Sequence, residues 1–500
     1  MEKRIINRVA GGHRAATAAV LAAALVGTML SSVAIESASA ASPRTSRASS
    51  TASSPAATLT AVNVPGTTAL GAAAVDLAHY GYTEREYYAD GKANRYRGAV
   101  AGALQTASVI DGNWPYRTRV LVRTPKPGHF NGTLIVEWTN VTIGVDADFV
   151  FAEAHDDLLR QGYAYAVVSA QNVGVNRLKT WSSARYGSLS LAASNVDPQT
   201  GGNIDNCGPI ACSGDPLSWD VFSQVAAALK ANPGRNPLLP GLKVRDVIAT
   251  GQSQSAFRIS TYYNTIQPLA NVFDGFVAWD RAGAERTDLA VPEVSVNSEG
   301  LSGLAPTFPT STYTRAWEVA GSTHGSLYAA QYVDAMFNRD KSLIGPNGQP
   351  ESFTQWVEPS CAVLPPFSTV PNGLVVSAAL DSVKKWIEFG KPAPPTILFT
   401  RDANGQFVRD ANGMIEGGVR LSQFVAPTAD QSAFNGTAFP CLVSGYHHFY
   451  TPQELEQRYG TSRNYVTQVA QAMFAAARGG YVLPYDAVAA TLAATKVAIG

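Results

Sequence analysis

A chain of 500 residues with 46% hydrophobic content can bury one large core with insertions, since single cores stop growing near about 300 residues. Its formal net charge is zero and only 15% of its residues are charged, below the roughly 25% usual for soluble domains. No basic surplus is available to neutralise phosphates, which excludes a nucleic-acid binder of the ordinary electrostatic kind.

The first 40 residues read as a signal peptide. Lys3, Arg4, Arg8 and Arg14 precede an apolar run at 15–26, and Ala38-Ser39-Ala40 offers a small-residue cleavage site. A secreted or cell-envelope location is therefore expected, with the mature chain beginning near Ala41. An uncleaved anchor is the competing reading, but the run is shorter than the ~20 residues a membrane span needs, and no later stretch is long enough. Residues 41–60 are Ser, Thr, Ala and Pro with two arginines, a composition that predicts a flexible leader.

Residues 61–335 read as the catalytic core. Strand-like and helical runs alternate from 115 to 335, which predicts an α/β fold with a mostly parallel central sheet and helices on both faces. Residues 117–123 alternate like a half-exposed strand, whereas 132–138 is almost continuously apolar. Helical spacing covers 148–160 and 216–231, a buried strand is expected at 164–169, and further strands at 244–250, 273–279, 291–296 and 314–320. Residues 336–450 are irregular, with Pro365-Pro366, Pro394-Pro395 and turns at Asn404-Gly405 and Asn412-Gly413, and read as a lid or insertion. Residues 451–500 return to helix, opened by a capping box at Thr451-Pro452-Gln453-Glu454. No internal repeat is found.

Four cysteines in an exported chain predict two disulfides, for which three pairings exist. Cys207 with Cys212 and Cys361 with Cys441 are favoured, the first closing a small loop and the second joining distant segments. No C-x-x-C spacing supports a metal site, and neither a phosphate-binding loop nor a dinucleotide fingerprint is present. No cofactor or metal is expected.

The chemistry concentrates at 244–264, VRDVIATGQSQSAFRISTYYN, where a β-branched run breaks at Gly251-Gln252-Ser253-Gln254-Ser255 and resumes as a helix. A nucleophile elbow has this form, with its serine on a strained strand-to-helix turn. The usual second glycine of G-x-S-x-G is Ser255 here. A serine nucleophile needs a histidine to take its proton and an acid to orient the imidazole. His324, after the last predicted strand in EVAGSTHGS, is the expected base, with His447 and His448 as rivals. Glu299, past the strand at 291–296, is the expected acid, and the order Ser253, Glu299, His324 is that of the α/β hydrolases. Asp280, at the end of the preceding strand, is the alternative. The oxyanion donors are expected to be the backbone N–H of Gln254 and those around Asn140 and Val141.

With these residues in place the chain resembles the α/β-hydrolase superfamily over roughly residues 100–335. The phrases VEWTNV, TGQSQSA, WEVAGSTH and GGVRL are similar to a bacterial group of exported or cytoplasmic "alpha/beta hydrolase domain" proteins that carry an extra C-terminal region. That resemblance implies Ser253 as nucleophile, His324 as base, an acid at or near Glu299, and esterase or amidase activity. The expected function is a secreted serine hydrolase that cleaves small-molecule carboxylic esters, or amides, through an acyl-enzyme. The competing expectation is a catalytically silent hydrolase fold that serves as a cell-envelope binding module.

Overall fold

The structure of the protein, a computed structural model, describes residues 54–206, 214–231, 241–281, 283–303 and 310–499. The predicted signal peptide, residues 41–53 of the leader, and both Cys207 and Cys212 lie outside these residues.

The sheet begins with β1 (Thr58–Ala61), β2 (Tyr82–Arg97) and β3 (Ser108–Pro125), each antiparallel to the next. Two of these correct the sequence reading. The leader does not remain unstructured to residue 60, because Thr58–Ala61 pairs with β2. β2 itself went unrecognised because its charges hide an apolar face: Glu84 is held by Arg123 at 2.7 Å, and Glu86 pairs with Arg185. The rest of the sheet is parallel and follows prediction closely. It comprises β4 (Thr133–Trp138), β5 (Ala164–Val168), β6 (Asp246–Gln252), β7 (Gly275–Trp279), β8 (Glu293–Ser298) and β9 (Thr314–Val319). Among the described residues the strand order is β1-β2-β3-β5-β4-β6-β7-β8-β9, with β3 running antiparallel to β5.

Successive strand residues enter opposite cores. Leu134, Val136, Val247 and Ala249 face one apolar cluster, while Ile135 and Ile248 face the other. Burial on both faces is what makes these strands read as continuous apolar runs. Helices Phe149–Arg160 and Asn372–Phe389 cover one face, and Ser218–Lys230 and Gln254–Thr261 the other. Helix Asn372–Phe389 falls inside the segment read as a lid, yet it packs on β6, β7 and β8. Around it, a two-stranded ladder of β10 (Ala429–Ser432) and β11 (Tyr446–Phe449) and the Cys361–Cys441 disulfide organise the remainder. The capping box at Thr451 and Glu454 forms as expected. No helix among the described residues is long and apolar enough to cross a membrane.

Buried Glu153 joins three elements. Its Oε2 accepts from Ser326 Oγ and its Oε1 from the Gly373 backbone N–H, each at 2.9 Å. Burial pushes its carboxyl from the ordinary 4.5 up to about 7. The folded value lies above the unfolded one, so this stability is full below the ordinary carboxylate range and is lost as pH rises through about 7. At about 1.4 kcal/mol per unit, Glu153 should contribute a decline of about 2 to 3 kcal/mol between pH 5 and 8. Urea denaturation at the two pH values should show that decline reduced in Glu153→Gln; an identical decline in both proteins would contradict the assignment.

Candidate active site

The C-terminal ends of the parallel strands carry the site. β6 ends at Gln252, and Ser253 turns the chain into helix Gln254–Thr261 at φ 56° and ψ −121°, a conformation rarely available to a residue with a Cβ. Gly251 is required there, because a Cβ would stand 2.9 Å from the Ser255 carbonyl carbon and oxygen. Ser255 replaces the usual glycine and uses its hydroxyl. The Oγ accepts from the Gln252 N–H and donates to the Gln252 carbonyl, both at 2.9 Å, entirely out of solvent. The Ser253 N–H donates to the Trp279 carbonyl at 2.9 Å, tying the turn to the neighbouring strand.

His324 lies on the loop after β9. Its Nε2 is 2.6 Å from Ser253 Oγ and its Nδ1 is 2.7 Å from Asp280 Oδ2. With Nδ1–H donating to the carboxylate, Nε2 is left to accept the serine proton. Asp280 follows β7, is fully buried at φ 57°, and accepts from the Ser298 N–H at 2.5 Å and the Ser298 Oγ at 2.8 Å.

The carboxylate on His324 is therefore Asp280 and not Glu299. Glu299 follows the next strand, one position further from the serine, and its oxygens are committed elsewhere: Oε2 accepts from the Gly321 N–H at 2.8 Å and Oε1 from Arg409 at 2.6 Å. His447 and His448 are bonded instead to the Phe367 and Leu364 carbonyls, each at 2.8 Å.

The oxyanion donors divide. Gln254 opens the elbow helix, where first-turn N–H groups have no intrahelical acceptor. The Asn140 N–H is not available, because it donates to the Ala147 carbonyl at 3.0 Å in a tight loop. Val141 is the next residue of the same loop and is buried. The Asn140 side chain acts differently from the expectation, donating to Gln252 O and Oε1 at 3.0 and 3.1 Å. Gln252 Nε2 in turn donates to the His324 carbonyl at 2.9 Å. Gln252 and Ser298 were missed in the sequence; both flank residues that had been singled out, and adjacency was the available signal. Among the described residues no group of three or more His, Cys, Asp and Glu side chains could hold a metal ion.

A family model described as "Alpha/beta hydrolase domain" matches residues 47–491. The chain belongs to the alpha/beta hydrolase domain family. Among solved structures this family member is similar to a lidless a/b serine hydrolase from Xanthomonas campestris, at 11% identity and TM-score 0.28 over 45% of this chain and 86% of that one. It is also similar to esterase Est22, at 11% identity and TM-score 0.30 over 53% and 79% of the two chains. A further match is an alpha-beta serine hydrolase homologue from Coxiella burnetii, at 12% identity and TM-score 0.26 over 42% and 84%. No curated protein matches the chain.

Where the usual G-x-S-x-G elbow has a glycine, this chain closes the turn with the Ser255 side chain. Ser255→Ala should therefore lose about 1 to 2 kcal/mol, since the Gln252 N–H loses its partner in a dry site and the Gln252 carbonyl keeps only the Asn140 amide. Thermal or urea denaturation checks this, and wild-type stability in Ser255→Ala would contradict it.

Proposed function

We propose that this protein is a secreted serine hydrolase that cleaves small-molecule carboxylic esters, with amides the second substrate class, through an acyl-enzyme. The observation that carries the reading is the unbroken hydrogen-bonded chain from Ser253 through His324 to Asp280, set on an elbow with Ser253 at φ 56°. As Ser253 Oγ attacks the acyl carbon, its proton passes to His324 Nε2, and Asp280 stabilises the imidazolium that forms. The tetrahedral oxyanion is met by the N–H groups of Gln254 and Val141. Collapse expels the alcohol, which takes the proton from His324, and water repeats the sequence to release the acid. No cofactor enters these steps, and the neutral overall charge favours small uncharged partners over nucleic acid. Export is supported by the charged, apolar and small-residue order of the first 40 residues and by a disulfide between Cys361 and Cys441, which suits an oxidising compartment.

Fluorophosphonate labelling of the purified protein, with the adduct located by mass spectrometry, is the deciding experiment. Wild type should carry the adduct on Ser253, and Ser253→Ala should carry none. With a p-nitrophenyl ester, Asp280→Asn should lower kcat by about 10⁴-fold, because the wrong imidazole tautomer is then favoured. A wild-type protein that is folded but neither labels nor turns over would leave the binding-module reading in its place.

A further inference from the structure

The segment outside β9 contains the same five residues twice, eight positions apart: Arg401-Asp402-Ala403-Asn404-Gly405 and Arg409-Asp410-Ala411-Asn412-Gly413. Each copy is a self-contained turn. Asp402 Oδ1 accepts from the backbone N–H groups of Asn404 and Gln406 at 2.8 and 2.9 Å, and Asp410 Oδ1 from those of Asn412 and Met414 at 2.8 and 3.0 Å. Gly405 and Gly413 close the turns at φ +76° and +77°. In both copies one guanidinium nitrogen binds the glycine carbonyl at 3.0 Å, which leaves the other free to reach outward. Arg401 donates it to the Ser302 carbonyl at 2.8 Å, and Arg409 to Glu299 Oε1 at 2.6 Å. The Phe407 ring lies against both guanidinium groups, at 4.4 and 5.9 Å. The two arginines thus grip the short helical turn Glu299–Ser302 at its two ends.

That turn touches the reacting groups from behind. Its cap, Ser298, donates twice to Asp280. Glu299 holds the Gly321 N–H, and the Gly300 N–H donates to the Ser322 carbonyl at 3.2 Å. Gly321 stands three residues before His324 at φ +72°, so the path of the loop to the imidazole depends on where that glycine is held. We infer that Glu299 and Arg409 are positioning residues for His324, and that the tandem turns exist to aim the arginine that holds Glu299 in place. The inference rests on the reading of Ser253, His324 and Asp280 as the reacting groups. The Glu299 side chain is 4% exposed, and removing Arg409 takes away the donor that holds its buried Oε1. Once turned outward the carboxylate no longer accepts from Gly321, and an imidazole displaced by a fraction of an ångström loses rate without losing substrate binding.

The test compares wild type, Arg409→Ala, Arg409→Lys and Glu299→Gln in the full chain. It reads melting temperature, kcat and KM on a p-nitrophenyl ester, and the low-field NMR resonance of the His324 Nδ1 proton, assigned by its loss in His324→Gln. In Arg409→Ala, kcat should fall about 10- to 100-fold with KM within about twofold, and the resonance should shift or broaden. Arg409→Lys should recover most of the rate, and Glu299→Gln, which keeps an acceptor for Gly321 but no charge for Arg409, should fall between. Wild-type kcat and an unmoved resonance in folded Arg409→Ala or Glu299→Gln would overturn the inference. Absence of turnover and labelling in wild type would instead refute the reading of Ser253, and the proton resonance, which needs no substrate, would still decide the clamp.

Discussion

Ser253 occupies backbone space that costs of order 1 to 3 kcal/mol, and such a residue persists only where its surroundings leave it no alternative. Those surroundings are visible on both sides of it. Before it, the Gln252 N–H and carbonyl are closed by the Ser255 hydroxyl. At it, the N–H is taken by Trp279 on β7, and its carbonyl accepts from the Phe257 N–H at 3.0 Å inside the helix. Strand, neighbouring strand and helix therefore each fix one atom of the turn. The serine hydroxyl is what remains unassigned to the fold, and it points to His324.

A constraint of this kind on one residue is useful only if the other loops are held to it, and Gln252 does much of that holding. Its side chain receives the Asn140 amide and donates to the His324 carbonyl, so the loop after β4, the elbow and the histidine loop share one buried residue. The acid is held in the same manner from the other side, by Ser298 at the end of β8. Asp280, like Ser253, sits at positive φ. Two strained residues on adjacent strands, both bonded to one imidazole, are difficult to explain as packing and simple to explain as preorganisation.

The parallel strands, the elbow and the histidine could be read from the sequence because each rests on local signals: apolar runs, a glycine before the serine, a small-residue loop around His324. The choice of acid rests on which strand end lies nearer in space. Asp280 and Glu299 both follow short apolar strands and both lie between Ser253 and His324, so chain order could not separate them. Only the sheet order, which puts β7 between β6 and β8, shows that Asp280 is on the adjacent strand. β2 was hidden for another reason, since its charged residues are neutralised by partners tens of residues away in the chain. The tandem turns were seen as turn signals, but their eight-residue period is too short to register as a structural repeat, and their meaning lies in the direction of two arginines.

The region after β9 read in the sequence as a lid or insertion followed by helices, and the edge of the sheet shows that part of it completes the sheet. β9 would present an open edge, a liability for any sheet, but residues on either side of the tandem turns cover it: the Glu318 N–H donates to Ile397 and the Ala320 N–H to Val419, at 3.0 and 2.9 Å. From that seam the chain continues into the disulfide-bonded turn, where the Val443 carbonyl accepts the His324 N–H at 2.9 Å, while Asn372 donates to the Thr323 carbonyl at 2.9 Å. The histidine loop thus rests on the sheet through Gln252 and the Glu299 turn, and also on segments that follow it by about 50 to more than 100 residues. A loop hung on distant segments can be positioned accurately only when those segments are themselves rigid, which is what a disulfide, two tight turns and an eighteen-residue helix at Asn372–Phe389 supply. The family match, which runs from 47 to 491 and does not stop after the last strand, has a physical reason in this dependence: the later segments supply two of the hydrogen bonds that fix the path of the histidine loop.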